Sequence, residues 1–380
     1  LATLAERLLD GGRGVEIRTF HGWFGQLLRA APAALLEAQG LTCELALLED
    51  TEEIEPRLWR RFLQAVAADP VLRADHAALV QQRGRSVARD WLRAALAQRV
   101  EIERADAAGG FEPSVPSAAD WAPAFAAHGD PAEAIDAEPL RTALLALAAQ
   151  LGRDAGAHPR KAGAALEAAL SDAGADARAR FDAAWLALHT TAGEPRKLWR
   201  QSTPPAFEAA CDALLRVREA IEQQAAHEEH LRLVRLSRTL LAAYRDLKRD
   251  EGLADMADLE ACAERLLADA ELSGWVQERL DARLAHLLID EFQDTNPMQW
   301  RALHAWLAGY GGAGGGASGQ RPLAVFLVGD PKQSIYRFRR ADPRVFAQAR
   351  DFVVHGLEGA HLACDHTRRN APAVLAALNA

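Results

Sequence analysis

Two adjacent carboxylates, Asp290 and Glu291, end the apolar run Leu287-Leu288-Ile289, and Phe292-Gln293-Asp294-Thr295 follows them. A buried strand that delivers a pair of acids at its carboxyl end lets them divide two tasks. One can hold Mg²⁺, a hard cation that takes oxygen ligands and bridges to phosphate. The other can accept a proton from the water that attacks a γ-phosphate. A bare Asp-Glu pair would read as two solvated surface acids. The apolar run before this pair and the FQDT after it set it apart.

A second apolar run, Leu323 to Val328, ends in Gly329-Asp330-Pro331 and leads to Gln333, Tyr336, Arg337, Phe338 and Arg339. Aromatic rings interleaved with guanidinium groups suit single-stranded nucleic acid, because rings stack on bases while arginines meet phosphates. Alone, such a cluster equally describes a core Tyr and Phe with solvated arginines. Its place one strand beyond the acidic pair tips it toward function.

These residues need a scaffold. Alanine and leucine dominate, with arginine and glutamate at helical intervals, so the spacing predicts a mostly helical chain. Four short segments break that pattern: Val15 to Thr19, Ala285 to Ile289, Leu323 to Val328 and, more weakly, His361 to Cys364. They read as buried parallel strands with the functional residues at their carboxyl ends, where open α/β sheets place ligands. About 260 residues separate the first segment from the second, far more than a crossover needs, which predicts an inserted helical domain over roughly 40–240. Within it, Ala105 to Glu133 is rich in Pro, Gly, Ser and Ala and reads as a mobile loop. Gly311 to Gly319 reads as a flexible tether.

A chain of 380 residues exceeds one compact core and should divide into two or three domains. Its net charge of −9 argues against coating duplex DNA through a broad basic surface, while leaving room for a narrow basic groove along one strand. Cys43, Cys211, Cys262 and Cys364 lie far apart, which predicts reduced thiols in a cytoplasmic protein. No run approaches the roughly 20 apolar residues of a membrane span. His227 and His230 lack the zinc-protease spacing, and most tryptophans read as core; Trp23, beside Thr19-Phe20-His21, is the exception as a candidate base-stacking ring.

The segments IDEFQDT and GDPKQSIYRFRRAD resemble motifs II and III of the superfamily 1 UvrD/Rep-like DNA helicases, with wording closest to the RecB/AddA branch of recombination helicase–nucleases. Thr19-Phe20-His21 with Trp23-Phe24 resembles the family's TFH motif, and His366 to Asn370 with Val374-Leu375 and Asn379 resembles motif IV. Asp255 to Leu259 stands where the family often has a DFDDL-like stretch. The resemblance implies an α/β fold: a partial RecA-like P-loop NTPase parallel sheet with a large inserted all-helical domain. Its divisions would be 1–39 (start of the first RecA-like domain), 40–240 (helical accessory domain), 241–359 (rest of the first RecA-like domain) and 360–380 (start of the second).

The same resemblance implies ATP and Mg²⁺ as cofactors. Asp290 would coordinate the metal, Glu291 polarise the attacking water, Gln333 sense the γ-phosphate and Arg369 touch it from the second RecA-like domain. Thr19, Phe20 and His21 would lie on the DNA side, Tyr336 and Phe338 would stack on bases, and Arg339 would sit between nucleotide and strand. The implied partners are single-stranded DNA, duplex DNA ends and the other components of a helicase–nuclease complex. The implied activity is 3′–5′ translocation in double-strand break repair. The sequence departs from the family at Arg340, where glycine is usual, at Thr367 and Asn370, and at Met256 and Ala257.

No GxxxxGK[ST] occurs, and both ends read as cut, so the expectation is a piece of a longer protein that alone binds ATP poorly and cannot translocate. No stretch forms a convincing nuclease site. Two other readings stand beside the motor. In one, a catalytically silent helicase-like scaffold binds DNA; the acidic pair with Gln333 and Arg369 argues against it. In the other, a generic P-loop kinase has no use for the aromatic–arginine cluster.

Overall fold

The computed structural model describes residues 16–31, 33, 46–48, 50–200, 203–268, 286–308, 323–336, 340–363, 371 and 374. Along the chain run α1 (Phe20–Ala30), β1 (Ala46–Leu48), α2 (Glu55–Ala68), α3 (Pro70–Arg83), α4 (Arg85–Ala97), α5 (Arg99–Ala107), α6 (Leu140–Gly152), α7 (Ala157–Ser171) and α8 (Ala177–Leu188). There follow α9 (Pro205–Glu251), β2 (Leu253–Asp255), α10 (Met256–Ala268), β3 (His286–Ile289), α11 (Pro297–Ala308), β4 (Ala324–Leu327) and α12 (Pro343–Gly356). The described residues fall into two compact units, one within Ile54–Arg245 and one drawn from both flanks, Leu1–Glu53 and Asp246–Ala380.

The Ile54–Arg245 unit is helical. Leu144, Leu147 and Leu151 of α6 repeat at helical spacing and pack with Leu166 and Leu170 of α7, Phe181, Trp185 and Leu188 of α8, and Phe207, Leu214 and Ile221 of α9. Gly163 lets α6 and α7 meet closely, since a Cβ there would stand 2.8 Å from Leu151 Cβ and 2.9 Å from the Ala148 carbonyl. The stretch 105–133, expected as a mobile loop, is instead a chain of short helical turns at Glu112–Ser114, Ala118–Trp121, Pro123–Phe125 and Pro131–Asp136. His227 Nδ1 meets the Val115 carbonyl at 2.7 Å, His230 Nε2 meets that of Phe111 at 2.8 Å, and Gln223 donates to that of Pro116. Those two histidines therefore pin this stretch to α9, a structural task.

The flanking unit carries the strands. β1 pairs in parallel with β2, and β3 in parallel with β4, with Ile289 opposite Leu327. Around them Phe24, Leu27 and Leu28 of α1, Cys262, Leu266 and Leu267 of α10, Trp300, Leu303 and Trp306 of α11, and Val345 and Ala349 of α12 form one core. The pairing of 286–289 with 324–327 is the parallel arrangement the sequence predicts, but the two strands are not buried as expected: Leu288 is 73% and Phe326 52% exposed, so one face of the pair is uncovered. Residues 16–19 are not a strand: Thr19 ends them as the N-cap of α1, its hydroxyl accepting from Gly22 N at 3.1 Å. Residues 361–363 also lack regular structure, whereas 46–48, inside the stretch expected to be helical, form a strand. The tether at 311–319 lies outside the described residues. No helix among the described residues is long and apolar enough to cross a membrane.

Candidate active site

The parallel register of β3 and β4 brings two loop starts together. Val328 N donates to the Ile289 carbonyl at 2.8 Å and Phe292 N to the Val328 carbonyl at 2.8 Å, so Asp290-Glu291 and Gly329-Asp330 leave the sheet side by side. Asp290 and Glu291 are both exposed. Glu291 has left-handed backbone angles, φ 52° and ψ 40°, which turn the chain sharply out of the strand. Phe292 then plunges into the core, its ring edge-on to Trp300 at 5.8 Å and to Phe346 at 6.0 Å.

Gln293 connects the two loops. It is buried; its Nε2 donates to Glu291 Oε2 at 2.6 Å, and its Oε1 accepts from Asp330 N at 3.0 Å. Asp330 in turn accepts from Lys332 N and, through Oδ2, from Gln333 Nε2 at 3.0 Å. The Lys332 amide and the Gln333 side chain hold the Asp330 carboxyl below its ordinary range. Ser334 Oγ closes the loop by donating to the Gln293 carbonyl at 3.1 Å. Gly329 admits this crossing, because a Cβ there would lie 2.5 Å from Gln293 Oε1 and 3.0 Å from Phe292 N.

Asp294 is pushed the other way, upward, by burial first and by the Glu291 charge second. Its Oδ1 is buried without a hydrogen-bond partner among the described residues. Asp290-Glu291 and Asp330 thus leave neighbouring strands, but among the described residues no three acids, histidines or cysteines stand close enough together to hold a metal ion.

Of the residues expected to carry function, Asp290, Glu291 and Gln333 come together here. Thr19, Phe20 and His21 open α1, where Thr19 caps the helix and Phe20 packs against Phe24 with ring centroids 5.9 Å apart. Trp23 is half-buried and packs against Phe24 and Trp306 at the margin of the core. Tyr336 is half-buried, its carbonyl accepting from Ala341 N at 3.2 Å. Phe338, Arg339 and Arg369 lie outside the described residues. Arg340, where glycine is usual, has φ 67°, which gives the physical reason for glycine there.

Sequence reasoning gave no role to Gln293, Asp330 or Glu260. The first two sit inside the motifs. Glu260 had a weaker signal: it is the lone buried acid on the apolar face of α10, among Leu259, Cys262, Ala263 and Leu267.

The family model of the UvrD/REP helicase N-terminal domain matches residues 4–353. The chain belongs to that family. UvrD/REP-type helicase domains share a RecA-like α/β fold, to which the parallel pairs here conform. The chain is 36% identical over 128 residues to an ATP-dependent helicase/nuclease subunit of Exiguobacterium sibiricum, covering 34% of this chain and 10% of that protein. It is 39% identical over 120 residues to the protein of the same name from Levilactobacillus brevis, covering 30% and 9%. The Streptococcus pneumoniae protein of that name is 31% identical over 162 residues, covering 41% and 12%. Each match therefore spans about a tenth of the relative's length.

Proposed function

We propose that this chain is part of the ATPase motor of a DNA helicase acting in repair of double-strand breaks, moving 3′–5′ on single-stranded DNA within a helicase–nuclease. The hydrogen-bonded chain Glu291–Gln293–Asp330–Gln333 carries the reading, since it links the acid that would activate water to the glutamine that would sense the γ-phosphate. Asp290 would hold Mg²⁺, which when bound neutralises phosphate charge. Glu291 would accept the proton of the attacking water, with Gln293 fixing the carboxylate that receives it. Arg369 would complete the charge around the γ-phosphate from the second RecA-like domain. Thr19, Phe20, His21, Tyr336, Phe338 and Arg339 would face DNA, with rings on bases and arginine on phosphate.

The helical unit would be an accessory domain inserted into the first RecA-like domain. The name the relatives share, which joins helicase to nuclease in one component of a larger assembly, supports a multi-component complex here too. That complex would work in the cytoplasm on duplex DNA ends. The residues of the chain by themselves would bind ATP poorly and would not translocate.

ATP hydrolysis measured on the intact protein, with and without single-stranded DNA and beside Glu291→Gln, tests the reading. Stimulation by DNA that collapses in the variant is the expected result. A well-folded intact protein without hydrolysis would overturn it in favour of a silent DNA-binding scaffold.

A further inference from the structure

Outside the acidic site, one buried carboxylate gathers more donors than its helix requires. Glu260, 3% exposed, accepts at a single oxygen, Oε1, from Asn296 Nδ2 at 2.9 Å and Gln299 Nε2 at 2.7 Å, and meets His21 Nε2 there at 2.9 Å. The orientation of each amide is fixed independently. Asn296 Oδ1 accepts from the backbone N–H groups of Met298 and Gln299, so Nδ2 must face Glu260. Gln299 Oε1 accepts from Asn296 N at 3.3 Å, so its Nε2 must do the same. A carboxylate oxygen only accepts, so His21 meets it as a donor through Nε2.

Asn296 caps α11, the helix that leaves the LLIDEFQDT segment, and His21 stands in the first turn of α1 with its side chain about one-third exposed. One carboxylate oxygen therefore joins the start of α1 to the end of the acidic segment. Helix stability does not demand this: Thr19 already caps α1, and Asn296 caps α11 through its own Oδ1. A buried acid among Leu259, Cys262 and Ala263 costs free energy that a leucine would not.

We propose that Glu260 is a positioning residue for single-stranded DNA. It sets the ring plane and tautomer of His21, presents Nδ1 toward the strand, and locks that histidine to the cap of the helix following Asp290-Glu291. This rests on the motor reading above, which puts His21 on the DNA side. DNA that moves His21 thereby pulls on the segment holding the acidic pair.

The experiment is ATP hydrolysis by the intact protein with oligothymidylate titrated in, for the wild type, Glu260→Gln, His21→Ala and the double variant. Glu260→Gln keeps the side chain's shape but removes the negative charge that draws three donors to one oxygen and puts an N–H donor in place of the second oxygen, so the hold on His21 weakens. Each single variant is expected to raise the oligonucleotide concentration for half-maximal stimulation roughly five- to tenfold, with the double variant no worse than the worse single. Effects that multiply, or a Glu260→Gln titration that overlays the wild type, would overturn the positioning role. Nitrogen NMR of the wild type reads the tautomer without any variant; a His21 ring with no proton on Nε2 would also overturn it. Absence of DNA-stimulated hydrolysis in the wild type would instead bring down the motor reading, and this inference with it.

Discussion

Gln293 donates from its buried amide to Glu291 Oε2 at 2.6 Å, and this bond ties the exposed carboxylate to the loop beside it. Replacing it with leucine would preserve volume and remove both polar contacts. In the intact protein, Gln293→Leu is expected to lower the DNA-stimulated turnover of ATP by about 10- to 100-fold, the usual cost of freeing a supported catalytic group. Affinity for DNA in the absence of nucleotide should change little. Turnover within twofold of wild type would mean that Glu291 needs no such support.

Gly329 is where the two loops cross most tightly. A methyl group there would have to displace Gln293 Oε1, the Phe292 amide or the Phe346 ring, all within 3.0 Å of its position. Gly329→Ala is expected to cost about 1–3 kcal/mol of stability through overpacking. It should reduce turnover as well, because the atom displaced first belongs to Gln293. Chemical denaturation and ATP hydrolysis on the same preparation would separate the two effects. An unchanged denaturation midpoint would show that the loops relax freely.

At the junction of α9 and β2, Lys248 is 5% exposed and bonds Asp255 Oδ2 at 2.9 Å and Asp258 Oδ2. Asp255 Oδ1 caps α10 through Ala257 N and Asp258 N, while Asp258 Oδ2 accepts from Asp255 N, a reciprocal capping box. Lys248→Met would take the ammonium away from the 4%-exposed Asp255, and removal of one buried partner costs about 3–5 kcal/mol. The loss should appear as a lower denaturant midpoint with an unchanged slope. A cost below about 1 kcal/mol would show that the pair is hydrated and behaves as a surface contact.

How legible the chain is depends on whether a residue's role follows from its neighbours in sequence. Asp290, Glu291 and Gln333 can be read because apolar runs deliver them, and the observed pairing of Ile289 with Leu327 obeys the same pattern. Ala46 to Leu48 cannot, since Ala-Leu-Leu suits a helix as well as a strand and only pairing with residues 253–255 decides. Val15 to Thr19 misleads because its β-branched residues suggest a strand while the capping hydroxyl of Thr19 starts a helix. Prolines in 105–133 suggest a loop, yet proline also opens short helical turns, as at Pro113, Pro123 and Pro131. Glu260 is opaque for another reason: its partners come from 239 residues earlier and 36 and 39 residues later in the chain.

The helical unit carries its own acid-sensitive contact. Glu55 opens α2, and its carboxyl is held down to about 2, chiefly by the hydrogen bond from Arg93, with Trp59 and Arg89 assisting and burial opposing. Its Oε1 accepts from Trp59 Nε1 at 2.6 Å and Arg93 Nε at 2.7 Å. The folded value lies below the ordinary 4.5, so the folded state binds this proton more weakly than the unfolded chain. The stabilisation is therefore complete above about 4.5 and disappears as the pH falls toward 2. Glu55→Gln should be less stable than wild type at about pH 7, with the gap closing steadily between pH 4.5 and 2. Urea unfolding followed by tryptophan fluorescence at several pH values measures that gap. A gap independent of pH would mean that the pairing with Arg93 contributes shape but no charge-dependent stability.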